Sequence, residues 1–399
     1  MLKYTQIFLL TLSLVIFIAC GSGGVYTNQN NNSNTTSFDY SEKVFLHSLF
    51  QTEYLWHSSV SSDINYALYS DAKTMTRALR VNPPDEWSFS LTKQEYDDRS
   101  NQKTAGFGFA YAGNSFRIYK VLIDSPAYSK LKRGDQILKI NDQNVTHSIL
   151  SNASSSLGSV ATFTLLRDGN QIQVSVVPRE YTFKVSLSKI INQNSKKIGY
   201  FRYDSFTSAS TYEIENAFTI FHDANIDELV IDMRYNGGGS INTASILLDN
   251  ITNAYLGQRQ VYLDWNDNYQ YKNSTYHFDD ETDGNELSMQ RVFFLTTENS
   301  ASASELVISA LRPYLGDSNI ITIGSKTHGK PVGMSGRVYG NNYYFLINFF
   351  VRNHADETTS FDGISVTCSA EDDITHAMGN ANETMLSSAL YYIQHGVCQ

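Results

Sequence analysis

The second half of this sequence predicts an α/β fold (α+β elements), with a mixed sheet flanked by helices. A β-rich unit and an N-terminal helical cap precede it. Two observations carry the prediction. From residue 190 onward, short apolar runs of the kind buried in parallel sheets alternate with apolar stripes at helical spacing. Upstream, residues 105–180 hold short strands punctuated by turns, and residues 38–101 show helical periodicity. A chain of 399 residues has room for two or three domains, and 41% apolar residues allow a sizeable core. A net charge of −10 without Lys/Arg runs excludes nucleic acid and an anionic membrane surface as main partners.

Residues 1–19 read as a signal peptide. Lys3 supplies the positive end, and Ile7 to Ala19 is an almost unbroken apolar stretch too short to span a bilayer. It ends Phe17-Ile18-Ala19-Cys20-Gly21, which resembles a bacterial lipobox. That resemblance implies lipidation at Cys20 and a membrane anchor in the cell envelope, facing the periplasm or the surface. Phe is less usual than Leu at its position, and ordinary signal cleavage is the alternative. Residues 20–37, rich in Asn, Ser, Gly and Thr, form a flexible tether. In an exported chain the remaining Cys368 and Cys398 meet an oxidising compartment, and a bridge is expected in preference to two thiols. No Cys/His spacing suggests zinc, and no cofactor or metal is expected.

In the segment 38–101, Val44, Leu46, Leu49, Phe50, Leu55 and Trp56 predict helix from Phe38 to about Tyr66, and Pro83-Pro84-Asp85 breaks the pattern. The unit 105–180 opens with Gly106-Phe107-Gly108-Phe109 and a strand at Phe116–Val121. It continues through Ser125-Pro126-Ala127 and Leu131-Lys132-Arg133-Gly134-Asp135-Gln136-Ile137-Leu138-Lys139-Ile140-Asn141. This resembles a PDZ domain. The resemblance implies that Phe107, Gly108 and Phe109 present backbone N–H groups to a peptide's C-terminal carboxylate while the peptide adds as a strand. It also allows a unit that only packs on its neighbour or gates an active site.

Within 190–399, Ile198–Tyr203 and Leu229–Met233 read as strands, Tyr212–Asp223 as a helix, and Ile241, Ala244, Leu247, Leu248 and Ile251 as a helical stripe. A hairpin is expected from Gln260–Trp265 and Tyr269–Phe278, turning at Asn266-Asp267-Asn268. Tyr343–Phe350 reads as a strand near an edge. Val292–Leu295 leads through Ser300-Ala301-Ser302-Ala303-Ser304-Glu305 into a helix marked by Ala303, Leu306, Val307, Ala310 and Leu311. A hydroxyl at such a strand-to-helix junction lies near unpaired backbone N–H groups. The ordered set Lys197-Ile198-Gly199-Tyr200, Asp232-Met233-Arg234-Tyr235-Asn236-Gly237-Gly238-Gly239, Ser300–Glu305 and Thr327-His328-Gly329-Lys330 resembles the S41 serine peptidases, the C-terminal processing proteases.

The resemblance implies Ser302 as nucleophile, Lys330 as general base, and an oxyanion hole from the N–H groups of the Gly237-Gly238 turn and Ala303. Protein or peptide tails are then the substrates. Lysine ordinarily titrates near about 10.4, and a base at neutral pH needs roughly 7–8. Burial away from any carboxylate supplies that shift, and no acid follows Lys330 closely in sequence. The extra length between Ser302 and Lys330, relative to the family, is expected around Arg312 to Ser318. Met334 stands where many family members carry a Gln that orients the lysine. The alternative is therefore an inactive peptide-binding lipoprotein. His328 is expected to pack or face substrate, Ser300 and Ser304 to cap the helix, and Glu305 to favour its dipole. Asp279 to Gly284 reads as an acidic surface loop.

Overall fold

The computed structural model describes residues 38–279 and 284–399. The expected signal peptide, the tether, Cys20 and, within the acidic loop, Asp280, Glu281, Thr282 and Asp283 lie outside the described residues. The first segment carries α1 (Tyr40–Thr52), α2 (Ala72–Leu79), β1 (Phe89–Thr92), α3 (Lys93–Ser100) and β2 (Lys103–Gly106). Asp39, Asp71 and Thr92 cap the three helices by accepting backbone N–H groups of the first turn. The expected long helix stops at Thr52, and short 3-10 turns follow it.

A small β unit comes next: β3 (Phe109–Ala112), β4 (Arg117–Val121), β5 (Gln136–Ile140), β6 (Gln143–Asn144), α4 (His147–Ser155), β7 (Ala161–Arg167) and β8 (Asn170–Val176). Its sheet runs β3-β4-β5-β7-β8, which leaves β3 at an edge. Phe107, Phe109, Ile118, Ile137, Phe163 and Leu165 fill its core. The chain enters through β2 and leaves through β9 (Arg179–Thr182), and these two strands pair with each other as an antiparallel ribbon.

The third segment holds β10 (Ser186–Gln193), β11 (Lys196–Tyr203), α5 (Thr211–Ala224), β12 (Glu228–Asp232), α6 (Ile241–Ile251), β13 (Arg259–Trp265) and β14 (Ser274–His277). It continues with β15 (Val292–Thr296), α7 (Ala303–Leu315), β16 (Ile320–Gly324), β17 (Val332–Tyr339), β18 (Asn342–Arg352), β19 (Cys368–Ser369) and α8 (Thr384–His395). The central sheet is β10-β11-β12-β15-β16-β19, parallel from β11 onward. Alternate residues of its strands feed two cores. Leu229, Ile231 and Phe294 pack on α5, α6 and α7, while Val230, Phe293 and Leu295 pack on α8. Burial on both faces is why these strands read as continuous apolar runs.

Two expectations need correction. β18 is the centre of its sheet, not near an edge: it pairs with β1, β13 and β17. Consequently residues 38–101 are not a separate cap, because β1 is a strand of that sheet, and Leu46, Phe50 and Met75 share a core with Tyr344, Leu346 and Ile347. The reason is burial: Tyr344 and Leu346 need an apolar cover that the third segment does not provide. The hairpin β13–β14 forms, with its second strand delayed to Ser274 by a 3-10 turn. The stretch Arg312 to Ser318 holds the end of α7, which runs through Pro313 to Leu315, and the start of a 3-10 turn.

A disulfide joins Cys368 on β19 to Cys398 beyond α8, across 30 residues. Cys398→Ser is expected to lose about 3 kcal/mol of stability under non-reducing conditions. Denaturant midpoints check this, and added reductant should then leave the variant unchanged.

Candidate active site

Three loops at the carboxyl ends of adjacent parallel strands meet in one place, where ligand sites of open α/β sheets gather. They follow β12 (residues 233–240), β15 (297–302) and β16 (325–331). The loop after β15 is pinned to the loop after β12. Thr297 Oγ1 donates to Arg234 O, Ser300 Oγ to Met233 O (2.7 Å), Ala301 N–H to Asn236 O (3.1 Å) and Ser304 Oγ to Asn236 O (2.8 Å). Ser300 and Ser304 are therefore loop ties rather than helix caps. Their hydroxyls are fully buried and find carbonyls of the neighbouring loop before they find the helix.

Ser302 is the N-cap of α7, with φ 57° and ψ −113°. A side chain with positive φ is strained, and such strain gathers at functional sites. A nucleophile raised on a sharp strand-to-helix turn has this form. The turn closes tightly because Gly238 lies beneath it: a Cβ there would stand 2.8 Å from Ser302 Cβ and 2.9 Å from Ala303 N. Gly238 itself has φ 99°.

Glu305, 1% exposed, holds the two sides together. Its Oε2 accepts the Ser302 N–H (2.8 Å) and the Lys330 N–H (2.9 Å). Its Oε1 accepts the Gly329 N–H (2.7 Å) and the Thr327 hydroxyl (2.6 Å). One carboxylate thus fixes the serine turn and the lysine turn in a common frame. The sequence placed it in the first helical turn, where a carboxylate favours the dipole; its bonds to the lysine turn were not legible.

Burial pushes the half-buried Lys330 ammonium down to about 8, against the pull of Asp85 and Glu305, which favour the charged form. The expectation of a lysine remote from carboxylates is thus corrected: two act on it, and burial outweighs both. Its amine lies 6.0 Å from the centre of the Trp87 ring. Asp85 and Trp87 come from the first segment, far from Ser302 and Lys330 in sequence. Asp85 is fully buried and accepts Tyr54 Oη (2.8 Å), Trp87 N–H (2.8 Å) and Ser88 N–H (2.9 Å). His328 does not stand ready as a base, since its Nε2 accepts the Trp87 indole N–H (3.2 Å). Met334 packs beside the core shared with the first segment.

The glycine turn departs from expectation at one residue. The Gly238 N–H donates to Asn236 Oδ1 (2.9 Å), so it is not free to act as an oxyanion donor, and what Gly238 contributes is room. Gly237 is exposed, and the N–H of Ala303, first in α7, has no intrahelical acceptor.

Behind the turn lies a buried charge cluster. Arg234 is fully buried and paired with Asp232 (2.8 Å), Asp372 (2.8 Å) and Glu383 (2.7 Å). Arg133 of the small β unit reaches it by bonding Asp372 and Tyr235 Oη (2.6 Å). In the same unit, Phe107 and Phe109 point into the core, and the backbone carbonyls of Phe107 and Gly108 accept from Ala127 and Leu122. Gly108 has φ 87° and no space for a side chain beside Ser125. Among the described residues no group of three or more His, Cys, Asp or Glu could hold a metal.

Residues 197–362 match the profile of peptidase family S41. A Staphylococcus saprophyticus protein named "Probable CtpA-like serine protease" is 23% identical over 269 residues, covering 64% of this chain and 51% of that protein. The chain thus spans about half the length of that relative. A solved Bacteroides fragilis structure assigned to the S41 proteases shares the fold at a TM-score of 0.77 and 24% identity, over 89% of this chain and 98% of its own. The photosystem II D1 C-terminal processing protease gives 0.50 at 17% identity, over 82% and 91%.

Glu305→Gln keeps the shape but turns an NH2 group toward N–H donors. It is expected to lower stability by about 2 kcal/mol and any turnover at least about 100-fold through misplacement of Ser302 and Lys330. Thermal unfolding and single-turnover kinetics check the two halves.

Proposed function

Since this chain carries a peptidase domain of family S41 over residues 197–362, we propose that it is a serine endopeptidase working through a Ser302/Lys330 dyad and an acyl-enzyme. The observation that carries the reading is the pairing of a strained, half-buried Ser302 with a lysine that burial brings into the working range of a base, both bonded to Glu305. In this reading Ser302 Oγ attacks the scissile carbonyl carbon as its proton passes to Lys330 Nζ. The negative oxygen of the tetrahedral adduct is met by the N–H groups of Ala303 and Gly237. Collapse breaks the C–N bond, and the proton on Lys330 goes to the leaving amine. Water then attacks the ester, giving its proton to Lys330, and the second collapse returns that proton to Ser302 Oγ.

The substrates in this proposal are protein or peptide tails. The small β unit resembles a PDZ domain, and its strand β3 lies at an open sheet edge. A peptide could add there, its carboxylate at the N–H groups of Phe107, Gly108 and Phe109. Lipidation at Cys20, with the tether of residues 20–37, would hold the enzyme in the envelope. The reading as an inactive peptide binder rested on Met334. Nothing at the site favours it, because Lys330 has Glu305 at its backbone and Asp85 and Trp87 close by.

Ser302→Ala is expected to abolish both turnover and labelling by a fluorophosphonate, and Lys330→Ala to abolish turnover. Lys330 works as a base only when neutral, so kcat/KM should rise about tenfold per pH unit up to about pH 8 and level off above it. A profile already flat at pH 6 would refute the lysine base. Amidating the C-terminus of a tail substrate should raise KM several-fold with little change in kcat if the small β unit receives the carboxylate. Steady-state assays on the amide and acid forms decide it.

A further inference from the structure

We propose that Trp87, contributed by the first segment, is a positioning residue of the dyad: it roofs the Lys330 amine and keeps water from one side of it. The proposal rests on the Ser302/Lys330 reading and adds a residue outside the region matched to the family. Four contacts fix the indole where it stands. Its backbone N–H is held by the buried Asp85 carboxylate at 2.8 Å. Its ring N–H donates to His328 Nε2 at 3.2 Å, two residues before the lysine. Phe361 stacks against it, with centroids 6.2 Å apart and planes 20° apart. On the lysine side, Nζ lies 6.0 Å from the ring centre.

The anchor behind it is equally fixed. Asp85 also accepts Tyr54 Oη and Ser88 N–H, and the Ser88 hydroxyl accepts the Ile347 N–H of β18. The backbone that carries the indole is therefore tied to the β18 sheet, and the ring itself is held by His328 and Phe361. The charged groups that act on Lys330 are Asp85 and Glu305, and both favour its protonated form. What opposes them is exclusion of water. Glu305 lies on the backbone side of the lysine turn. The ring of Trp87 lies over the amine, and at 6.0 Å its cation–π attraction is at the outer limit of the range, so cover is the larger effect.

The experiment compares kcat/KM from pH 6 to 10.5 for wild type, Trp87→Phe and Trp87→Ala, with Ser302→Ala and Lys330→Ala as references. Trp87→Ala admits water to the amine, so its acid limb should move up by about one pH unit or more, toward an ordinary lysine. It should lose roughly tenfold or more at pH 7 and recover much of that loss by pH 10. Trp87→Phe keeps a ring over the amine and should lie near wild type. Damage to the fold alone would lower activity equally at every pH, and that result would overturn the proposal. So would a Trp87→Ala profile superimposable on wild type. Full turnover by Lys330→Ala would sink the dyad and the roof together, whereas an inactive Lys330→Ala beside an unmoved Trp87→Ala limb sinks the roof alone.

Discussion

A single buried carboxylate sets the geometry of the candidate active site. Glu305 accepts four hydrogen bonds, two from the turns that carry Ser302 and Lys330 and two from Gly329 and Thr327. Four donors satisfy an ionised carboxylate completely, and each of them would be costly to bury unpaired. Neither turn can move without releasing the other. The glycine turn joins the frame from below, through Asn236, whose carbonyl accepts from both Ala301 and Ser304. Three loops separated widely in sequence thereby behave as one rigid part.

The same arrangement decides the electrostatics. A lysine near two carboxylates would ordinarily stay protonated far above neutrality. Here the carboxylates spend their lone pairs on N–H and O–H donors, and burial prevails. The deeper cluster around Arg234 follows a different rule. Its charges are paired closely, Arg234 with Asp232, Asp372 and Glu383, beneath the glycine turn.

Much of this was legible in the sequence. The central strands and α5 to α7 announced themselves because burial on both faces, or on one stripe, leaves a periodic trace. The serine-rich junction was marked by its setting between such elements, and Ser302, Ala303, Lys330 and the glycine turn were singled out by the resemblance to the S41 peptidases. What was missed lies in side-chain contacts between distant segments. Asp85 and Trp87 sit in a stretch broken by prolines, with no periodicity to interpret, and Trp87 meets His328 across 241 residues. β18 was misplaced at an edge because its partner β1 is four residues long, too short to carry an alternating pattern. The donor role expected of Gly238 failed on a local competitor, the Asn236 side chain, which spacing alone does not reveal.

The ribbon of β2 and β9 has a mechanical consequence. Because the chain enters and leaves the small β unit through two strands bonded to each other, the unit is an insertion with coincident ends. Four residue pairs make up that doorway, from Lys103 and Thr182 to Gly106 and Arg179. Two-stranded ribbons carry the largest strand twist and little stability of their own. The unit's orientation is therefore governed less by its covalent attachment than by the ionic latch of Arg133 on Asp372 and Lys120 on Asp204. In the language of machines, the attachment is a torsion hinge and the latch is its stop.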